Sequence, residues 1–345
     1  MSLWRVWINN MTQDPRLQQL TEWIQQTWPE ATLSVASADA SFRRYFRVHL
    51  QGNTLIAMDA PPEKEDSRPF IDITQRLLNA GVQAPEIFKY SLTQGFMVLS
   101  DLGSTPYLDG LSKETANTAN TTNTTNILYQ DALTALIKIQ QADSSDLPLY
   151  NAALLQQEMQ LMPEWFLNTH LQLQLTSNQQ QIIGKTFNAL TTAVLEQPQV
   201  FVHRDYHSRN LMITTHNNPG VIDYQDAVLG AITYDLVSLL RDCYIAWPNK
   251  RVEQWALYYR DQAVKAELIE TIDDPTFMRW FDLMGLQRHI KVLGIFARLY
   301  HRDGKENYLN DLPQTLDYVM QIGKKHPETQ QLIKLFEQLD IPKKI

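Results

Sequence analysis

Apolar and polar positions alternate along the first hundred residues, whereas later in the chain apolar positions recur at helical spacing. Residues 16–28 place their apolar side chains on one face of a predicted helix. Five later segments are typical of strands: residues 33–35, 45–50, 54–58, 87–90 and 95–99. Ser67 and Gly81 are suitable start and stop signals for a helix among them. The pattern therefore predicts a small sheet with one inserted helix.

The rest of the chain is predicted to be mostly helical. The candidate helices cover residues 127–142, 151–171, 177–197, 233–247, 250–270, 275–302 and 312–339, the last broken at Pro327. Short strands are predicted at residues 200–202, 211–214 and 220–222. The expected fold is α+β with two lobes, a β-rich N-terminal lobe over residues 1–102 and a helical lobe over residues 103–345. A hinge near residues 99–105 joins the lobes, and a ligand is expected in the cleft between them.

One segment fits neither pattern. Residues 112–126 read SKETANTANTTNTTN, a polar stretch of low complexity. Such a stretch buries too little apolar surface to offset its loss of chain entropy. It is therefore predicted to be a mobile surface insertion.

Composition narrows the class of protein. A net charge of −8 over 345 residues disfavours nucleic acid as a partner, because phosphate backbones attract basic surfaces. The single cysteine, Cys243, excludes an intramolecular disulfide and is expected to be a small buried apolar residue. The sequence has no run of about 18 apolar residues and no recognisable signal peptide. These features predict a cytoplasmic protein without membrane contact, whose protein partners the sequence does not identify.

The stretch VFVHRDYHSRNLMITTHNNPGVIDYQDA, from residue 200, carries the candidate chemistry. Asp205 and Asn210 lie on a loop between two short strands, and Asp223 follows a third short strand that contains Val221 and Ile222. Phosphoryl transfer needs alignment and charge neutralisation more than covalent chemistry. We therefore assign Asp205 as the base that orients the acceptor hydroxyl. Asn210 and Asp223 are assigned as Mg²⁺ ligands, because Mg²⁺ prefers oxygen donors and the phosphates of ATP.

His203, two residues before the base, is expected to organise this loop rather than to act as an acid or base. Asp235, in TYDLVSLLRD, is a candidate acceptor for the ring N–H of His203. An equally good interpretation of Asp235 is a carboxylate that stabilises the N-terminus of a helix through the helix dipole.

At the level of families, HRDYHSRNLM and VIDYQDA resemble the aminoglycoside-phosphotransferase and choline-kinase-like superfamily, a branch of the protein-kinase fold. Five further segments resemble bacterial anomeric sugar kinases, which phosphorylate N-acetylmuramate and N-acetylglucosamine at C1: SFRRYFRV, LIAMDAPPEKEDSRPFIDI, GAITYDLVSLLRDCYIAW, LQRHIKVLGIFARL and HRDGKENYLNDLP. The resemblance spans about residues 32–320. It implies a protein-kinase-like fold, use of ATP and Mg²⁺, and a role in peptidoglycan recycling upstream of a uridylyltransferase.

The chain departs from the kinase pattern in the third strand of the small lobe. Kinases of this fold usually have a lysine there that holds the α- and β-phosphates, but this strand has Met58 and Asp59. Arg43 and Arg44 are candidates to supply the missing positive charge, and Lys64 is another. A solvated face is the alternative for two adjacent arginines on a strand. Asp72, on the following helix, is a candidate carboxylate to orient the cation.

The remaining predicted contacts concern adenine and the acceptor. Extended backbone at Ser100, Asp101 and Leu102 is expected to hydrogen-bond the adenine edge, although an edge strand ending in a turn has the same pattern. The acceptor candidates are His207, Arg209, Asp226, Arg241, Arg288 and His289. An arginine fork suits the carboxylate of N-acetylmuramate. Sugar stacking and core packing are both open for Trp165, Tyr244 and Trp247.

Three functional hypotheses follow. The leading one is an ATP-dependent N-acetylmuramate/N-acetylglucosamine 1-kinase. A kinase for choline, an aminoglycoside or an amino alcohol is the nearest alternative, and it requires an acidic or aromatic acceptor site. A nucleotide-binding pseudokinase is motivated by the missing lysine, but it has no need of Asp205, Asn210 and Asp223 together.

Overall fold

The N-terminal lobe contains one antiparallel sheet in the computed structural model, which describes residues 14–38, 42–114 and 119–345. Its strands are β1 (Thr32–Ala38), β2 (Arg44–His49), β3 (Thr54–Asp59), β4 (Ile87–Ser91) and β5 (Phe96–Ser100). They lie in the order β1-β2-β3-β5-β4. Each strand overlaps one of the five segments predicted from the alternating pattern, since alternation reports directly on which side of a sheet a residue faces.

Helix α1 (Pro15–Gln25) covers one face of this sheet. The Asp14 side chain accepts the N–H groups of Arg16 and Leu17, and Pro15 occupies the first turn, where no N–H is needed. Leu20 and Ile24 of this helix belong to the same apolar cluster as Phe46, Val48 and Val98 of the sheet. The even-numbered positions of β2 therefore face α1, and the odd-numbered positions face the other way.

Helix α2 (Arg68–Asn79) covers the opposite face and links the two lobes. Its buried residues Phe70, Ile73 and Leu77 share one core with Met58 of β3 and with residues of the C-terminal lobe. The Phe70 ring stacks on Tyr224 at a centroid distance of 5.2 Å. The two lobes therefore meet through a continuous apolar core beside the cleft.

The C-terminal lobe is built around one long helix, α9. The helices are α3 (Tyr107–Glu114), α4 (Ala119–Gln140), α5 (Ala152–Leu161), a π-helix (Met162–His170), α6 (Ser177–Leu195), α7 (Tyr234–Leu240), α8 (Asn249–Lys265), α9 (Asp274–Asp303), a 3₁₀ turn (Glu306–Asp311), α10 (Leu312–Gly323), α11 (Gln330–Gln338) and a 3₁₀ turn (Ile341–Lys343). Helix α9 contacts α5, α6, α7, α8 and α10. The Asp273 side chain caps its start, and Gly304, at φ 67°, ends it in the left-handed region.

Two predicted helices differ from the structure. The helix predicted over 151–171 changes to π geometry at Met162, next to Pro163, which lacks an N–H for the α-helical ladder. The helix predicted over 233–247 ends at Leu240, because Arg241 leaves the helical region at φ −120° and ψ 53°. Beyond it, the Asp242 side chain accepts the Tyr244 N–H at 3.0 Å, so a side-chain contact replaces the helical one.

Two small ribbons lie next to the cleft. One pairs β6 (Gln199–Val202) with β9 (Val228–Ala231), and the other pairs β7 (Leu211–Met212) with β8 (Gly220–Val221). Strand β9 was not predicted, since it is a four-residue strand that contains Gly230. The ribbons hold the loop of residues 203–210, which we call the catalytic loop, between β6 and β7.

The polar segment of residues 112–126 adjoins two helices. Its backbone contributes the end of α3 and the start of α4, while residues 115–118 lie outside the described residues. The helix expected from residue 127 thus begins at Ala119. The mobility of the segment stays a prediction. Among the described helices, none is both long and apolar enough to cross a membrane.

Candidate active site

His203 anchors the start of the catalytic loop from inside the core, where it is fully buried. Its Nε2–H donates to the carbonyl oxygen of Ile222 at 3.1 Å, and its Nδ1 accepts the Asp205 N–H at 3.2 Å. Both contacts fit a neutral ring, and burial lowers the pKa of His203 to about 4. The ring therefore joins the backbone at Asp205 to the strand end that leads to Asp223.

Asp235 holds the same loop through its backbone. Its Oδ2 accepts the His203 N–H at 2.7 Å and its Oδ1 accepts the Arg204 N–H at 3.0 Å. The prediction that Asp235 accepts the ring N–H of His203 is corrected, because that ring donates to Ile222. Arg204 has φ 79°, an unusual conformation for a non-glycine residue, and the paired N–H contacts stabilise it. Burial raises the pKa of Asp235 to about 7, although both N–H donors favour the ionised form.

Asp205, Asn210 and Asp223 are brought together at the end of the two ribbons. The Asn210 Nδ2 donates to the backbone oxygen of Asp205 at 3.0 Å and to Asp223 Oδ2 at 3.1 Å. Gln225 donates to the other carboxylate oxygen of Asp223 at 3.0 Å. Because the amide nitrogen of Asn210 is used in these contacts, its amide oxygen is directed away from them. The three residues predicted to act together thus form one connected cluster.

The Asp205 carboxyl lies in a positively charged environment. Burial by itself would raise its pKa, but the charges of His207, Lys291 and Arg288 outweigh burial and hold the pKa below its ordinary value. Asp205 is therefore ionised at neutral pH, as a residue that orients a hydroxyl and takes its proton must be.

Asn210 and Asp223 form one wall of a cleft of about 500 Å³ between the lobes. Ser100, Asp101 and Leu102 line the same cleft, as predicted for the adenine end. Across the described residues, the Leu102 backbone N–H has no hydrogen-bond partner, so it is available to a ligand. The Ser100 N–H, in contrast, donates to the Glu86 oxygen at 2.9 Å.

Arg47 of β2 also lines the cleft, and sequence reasoning missed it. It forms an ion pair with Asp101 at 2.7 Å and donates to the Gly103 oxygen at 3.0 Å. Arg47 therefore holds the hinge in place, and the Asp101 carboxylate is used in this ion pair. Side chains alternate between the two faces of a strand, and Arg47 is three positions after Arg44 on β2. This spacing is the feature of the sequence that could have placed Arg47 on the cleft face, opposite to Arg44.

The structure separates the two arginines proposed for the phosphates. Arg44 lies on the α1 face, where it pairs with Asp14 and with the buried Asp59. It does not reach the cleft. Arg43 precedes Tyr45, a cleft residue, by two positions and pairs with Glu65 at 3.0 Å. Arg43 itself lies just before β2 and is not among the residues that line the cleft, so its role at the phosphates stays a prediction.

The place of the usual lysine is apolar. Met58 is fully buried within the core that contains Phe70 and Ile73 of α2. Asp72 does not face it, because Asp72 is exposed and pairs with Arg76 at 2.9 Å. Lys64 is exposed and lies over the Phe42 ring, with 5.4 Å between its Nζ and the ring centroid. The orienting role suggested for Asp72 therefore has no support in the structure.

Three acceptor candidates come from the loops around the base. His207 is buried, its pKa is lowered by burial, and its ring packs edge-on against Tyr244. Arg209 lies over the same Tyr244 ring at 3.5 Å and lines the cleft. Asp226 is exposed, and its carboxylate accepts a long contact of 3.4 Å from Gln225. His207 and Arg209 therefore both contact Tyr244.

Two of the remaining candidates have structural partners instead. Arg241 forms a buried ion pair with Asp282 at 2.5 Å. His289 bonds to the Arg241 backbone oxygen at 2.9 Å, and its pKa is lowered to about 3, chiefly by burial. Arg288 differs from both, since its charge acts on Asp205 and His207.

The aromatic candidates mostly pack in the core. Trp247 donates to the Tyr129 hydroxyl at 2.6 Å, and Trp165 packs against the second apolar cluster. Tyr244 alone contacts two acceptor candidates. Cys243 is buried, as expected.

Sequence reasoning also missed a buried network behind the base. The Glu158 carboxylate pairs with Arg204 at 2.5 Å and with Lys291 at 3.0 Å, and it accepts a hydrogen bond from Tyr150. Lys291 also donates to the Tyr234 hydroxyl at 3.0 Å. Only the fold brings α5, α9 and the catalytic loop together, so spacing along the chain carries no signal for it.

The donor set suits Mg²⁺ held jointly with a nucleotide. In the described parts of the chain, no three His, Cys, Asp or Glu side chains are grouped closely enough to hold a metal ion. Mg²⁺ is usually bound by one or two carboxylates together with substrate phosphates and waters. One carboxylate from Asp223 and one amide oxygen from Asn210 match that pattern.

The fold and this site define a protein-kinase-like phosphotransferase. The model of the phosphotransferase enzyme family matches residues 32–281, so the chain belongs to that family and is a kinase that acts on an alcohol group. Among solved structures, an ADP-bound aminoglycoside phosphotransferase is similar, with a TM-score of 0.58 and 15% identity over 87% of this chain and 97% of that one. An ethanolamine kinase of Plasmodium vivax has a TM-score of 0.60 and 11% identity over 84% and 82%. At this identity the likeness shows the fold alone.

More similar relatives are named as sugar kinases. The chain is 42% identical to an N-acetylmuramate/N-acetylglucosamine kinase of Pseudomonas putida, over 94% of this chain and 97% of the relative. A protein of the same name from Pseudomonas aeruginosa is 42% identical over 95% and 98%. One from Neisseria meningitidis is 40% identical over 93% and 95%. The chain belongs to the family of these proteins.

Proposed function

We propose that the protein transfers the γ-phosphoryl group of ATP to the anomeric hydroxyl of N-acetylmuramate and N-acetylglucosamine. The observation that carries the proposal is the connected cluster of Asp205, Asn210 and Asp223 beside a cleft of about 500 Å³. The choice of sugar is supported by the names of relatives that are 40–42% identical over nearly the whole chain.

Each residue of the cluster has one role in this proposal. Asp205 orients the acceptor hydroxyl and accepts its proton. Asn210 and Asp223 would hold Mg²⁺, which neutralises charge on the β- and γ-phosphates. The Leu102 N–H is the donor for the adenine edge, and Arg43 supplies positive charge at the phosphate end.

The biological role is proposed from the family alone. A sugar 1-phosphate is a suitable substrate for a uridylyltransferase that makes a UDP-sugar, so the reaction fits peptidoglycan recycling.

Cationic acceptors are less well matched to the site. The solved neighbours include aminoglycoside phosphotransferases and an ethanolamine kinase, but their 11–15% identity does not carry the acceptor over. The cations Lys291 and Arg288 act on the base. These charges would repel an amine acceptor and favour a neutral or acidic one.

An acceptor screen with ATP and Mg²⁺ tests the function, with NMR to locate the new phosphate. We expect a phosphate at C1 of both sugars. The Asp205→Asn variant should lose about 10²- to 10⁴-fold in turnover, since general-base catalysis contributes that much. Its melting temperature should match that of the wild type. A phosphate at C6, or turnover of choline or an aminoglycoside in preference to sugar, would contradict the proposal.

A further inference from the structure

Arg288 is a buried cation without a direct ion pair among the described residues, although the Asp205 and Asp242 carboxylates act on its charge from a distance. It lies on α9 and is 5% exposed. Considering the described residues, no carboxylate forms an ion pair with it, and its hydrogen bonding is limited to a 3.8 Å contact from Nη1 to the Cys243 sulfur. Its Nε is buried and has no partner. Removing an unpaired charge from water is expensive, so such a group normally has a partner.

Neighbouring buried cations are all paired. Lys291, one turn further along α9, pairs with Glu158 at 3.0 Å. Arg241, at the end of α7, pairs with Asp282 at 2.5 Å. The missing partner is therefore specific to Arg288 and not a general property of this region.

The guanidinium contacts a segment that holds the catalytic loop. Cys243, its contact, follows Asp242, whose carboxylate accepts the Ser208 N–H of the catalytic loop at 2.9 Å. The charge of Arg288 acts on both Asp205 and His207. Asn210 and Asp223 line the nucleotide cleft, whereas Arg288 is not among its lining residues. The charge of Arg288 therefore reaches Asp205 from outside the cleft assigned to ATP.

Two polar atoms of the catalytic loop also lack partners. Within the part of the chain that the structure describes, the buried Nδ1 of His207, a residue on which the Arg288 charge acts, and the buried Oγ of the adjacent Ser208 have no hydrogen-bond partner. Buried polar groups are nearly always satisfied, so several unsatisfied ones around one charge indicate a missing ligand or water. Since Arg288 carries a positive charge, the missing ligand should carry a negative one.

We propose that Arg288 is the residue that binds the carboxylate of the acceptor, and that it distinguishes N-acetylmuramate from N-acetylglucosamine. The proposal rests on the proposed function. The two sugars differ by the lactyl ether of N-acetylmuramate, whose carboxylate matches a guanidinium fork. N-acetylglucosamine has no such group and does not use the contact.

The test compares kcat/KM for both sugars in the wild type, Arg288→Gln and Arg288→Lys. For Arg288→Gln we expect a loss of about 10- to 100-fold with N-acetylmuramate, the size of a charge-assisted hydrogen bond. With N-acetylglucosamine the loss should be smaller and limited to the effect of the removed charge on Asp205, so the ratio of the two kcat/KM values should still fall. The loss with N-acetylmuramate should appear mainly in KM, because the contact is made equally in the ground and transition states. Arg288→Lys keeps the charge but not the guanidinium fork, so its kcat/KM with N-acetylmuramate should lie between those of the wild type and Arg288→Gln.

Arg241→Gln is the matched control. It removes an equally buried arginine, but one that has a carboxylate partner, so it should lower the melting temperature and leave the ratio between the two sugars unchanged. Arg288→Gln should lower the melting temperature less than Arg241→Gln does, since it breaks no ion pair.

The outcomes separate two failures. If the wild type phosphorylates both sugars and Arg288→Gln leaves their ratio unchanged, the role of Arg288 is overturned while the proposed function stands. An equal loss with both sugars also overturns it and indicates that Arg288 acts only through its charge on Asp205. If the wild type phosphorylates neither sugar, the proposed function and this inference are overturned together.

Discussion

Restoring a lysine at Met58 should damage this protein and should not improve its hold on ATP. In the structure Met58 is fully buried against Phe70, Ile73 and Leu77. The nearby acid of α2, Asp72, is exposed and paired elsewhere. A lysine at this position would therefore bring a charge into an apolar core without a carboxylate to receive it.

The cost follows from desolvation. Full burial lowers the pKa of a lysine by about 3–5 units, and each unit corresponds to about 1.4 kcal/mol. At pH 7, deprotonating a lysine whose ordinary pKa is about 10.4 costs about 4–5 kcal/mol. This value limits the loss of folding free energy, because the neutral lysine has no charge left to desolvate. A domain has a total stability of about 5–15 kcal/mol, so the substitution should remove a large part of it.

Equilibrium unfolding in urea and the KM for ATP measure the two effects. Met58→Lys should unfold at a much lower urea concentration and show no decrease in the KM for ATP. Met58→Leu, which nearly conserves volume, should cost less than about 1.5 kcal/mol. A Met58→Lys variant that keeps wild-type stability and binds ATP more tightly would refute the conclusion that this position is a core position.

Two further predictions concern charge. Arg43→Gln should raise the KM for ATP about 10- to 100-fold, which is the size of a lost charge-assisted contact. Arg44→Gln should lower the stability of the protein and leave the KM for ATP unchanged. An equal rise of this KM in both variants would contradict the assignment. Burial disfavours the charge of Asp282, but His326 and Arg241 outweigh burial and hold its pKa below the ordinary value. Because the folded state favours the ionised form, the stabilisation is present above the ordinary pKa and is lost as pH falls through the lowered one. Asp282→Asn should therefore flatten the dependence of melting temperature on acid pH, and an unchanged slope would show that this carboxylate is not responsible.

The fold was predictable where periodicity is long and regular. The five strands of the N-terminal lobe and α9 were found because alternation and helical spacing report directly on burial. The end of α7 was missed, because the Asp242 side chain accepts the backbone N–H of Tyr244, a residue that the apolar pattern assigns to a helix. Strand β9 was missed because four residues with a glycine give too little pattern.

The candidate site was predictable only in part. Asp205 and Asn210 are five positions apart on one loop, and Asp223 follows β8, the second short strand after that loop, so local order along the chain already brings them near one another. The sequence identified Asp235 as a partner of the catalytic loop. In the structure, however, Asp235 accepts the backbone N–H groups of His203 and Arg204 and not the ring N–H of His203.

The sequence by itself determined the reaction class, because the residues that carry phosphoryl transfer lie within about twenty positions and their types match Mg²⁺ and a base. The tertiary structure decided which charged side chains pair with one another and which face of the sheet each one occupies. It turned Arg44 away from the cleft toward Asp14 and Asp59, paired Arg241 with Asp282, and left Arg288 without an ion pair among the described residues. The physical reason is that charge pairing and burial depend on residues distant in the chain, and only packing brings those together.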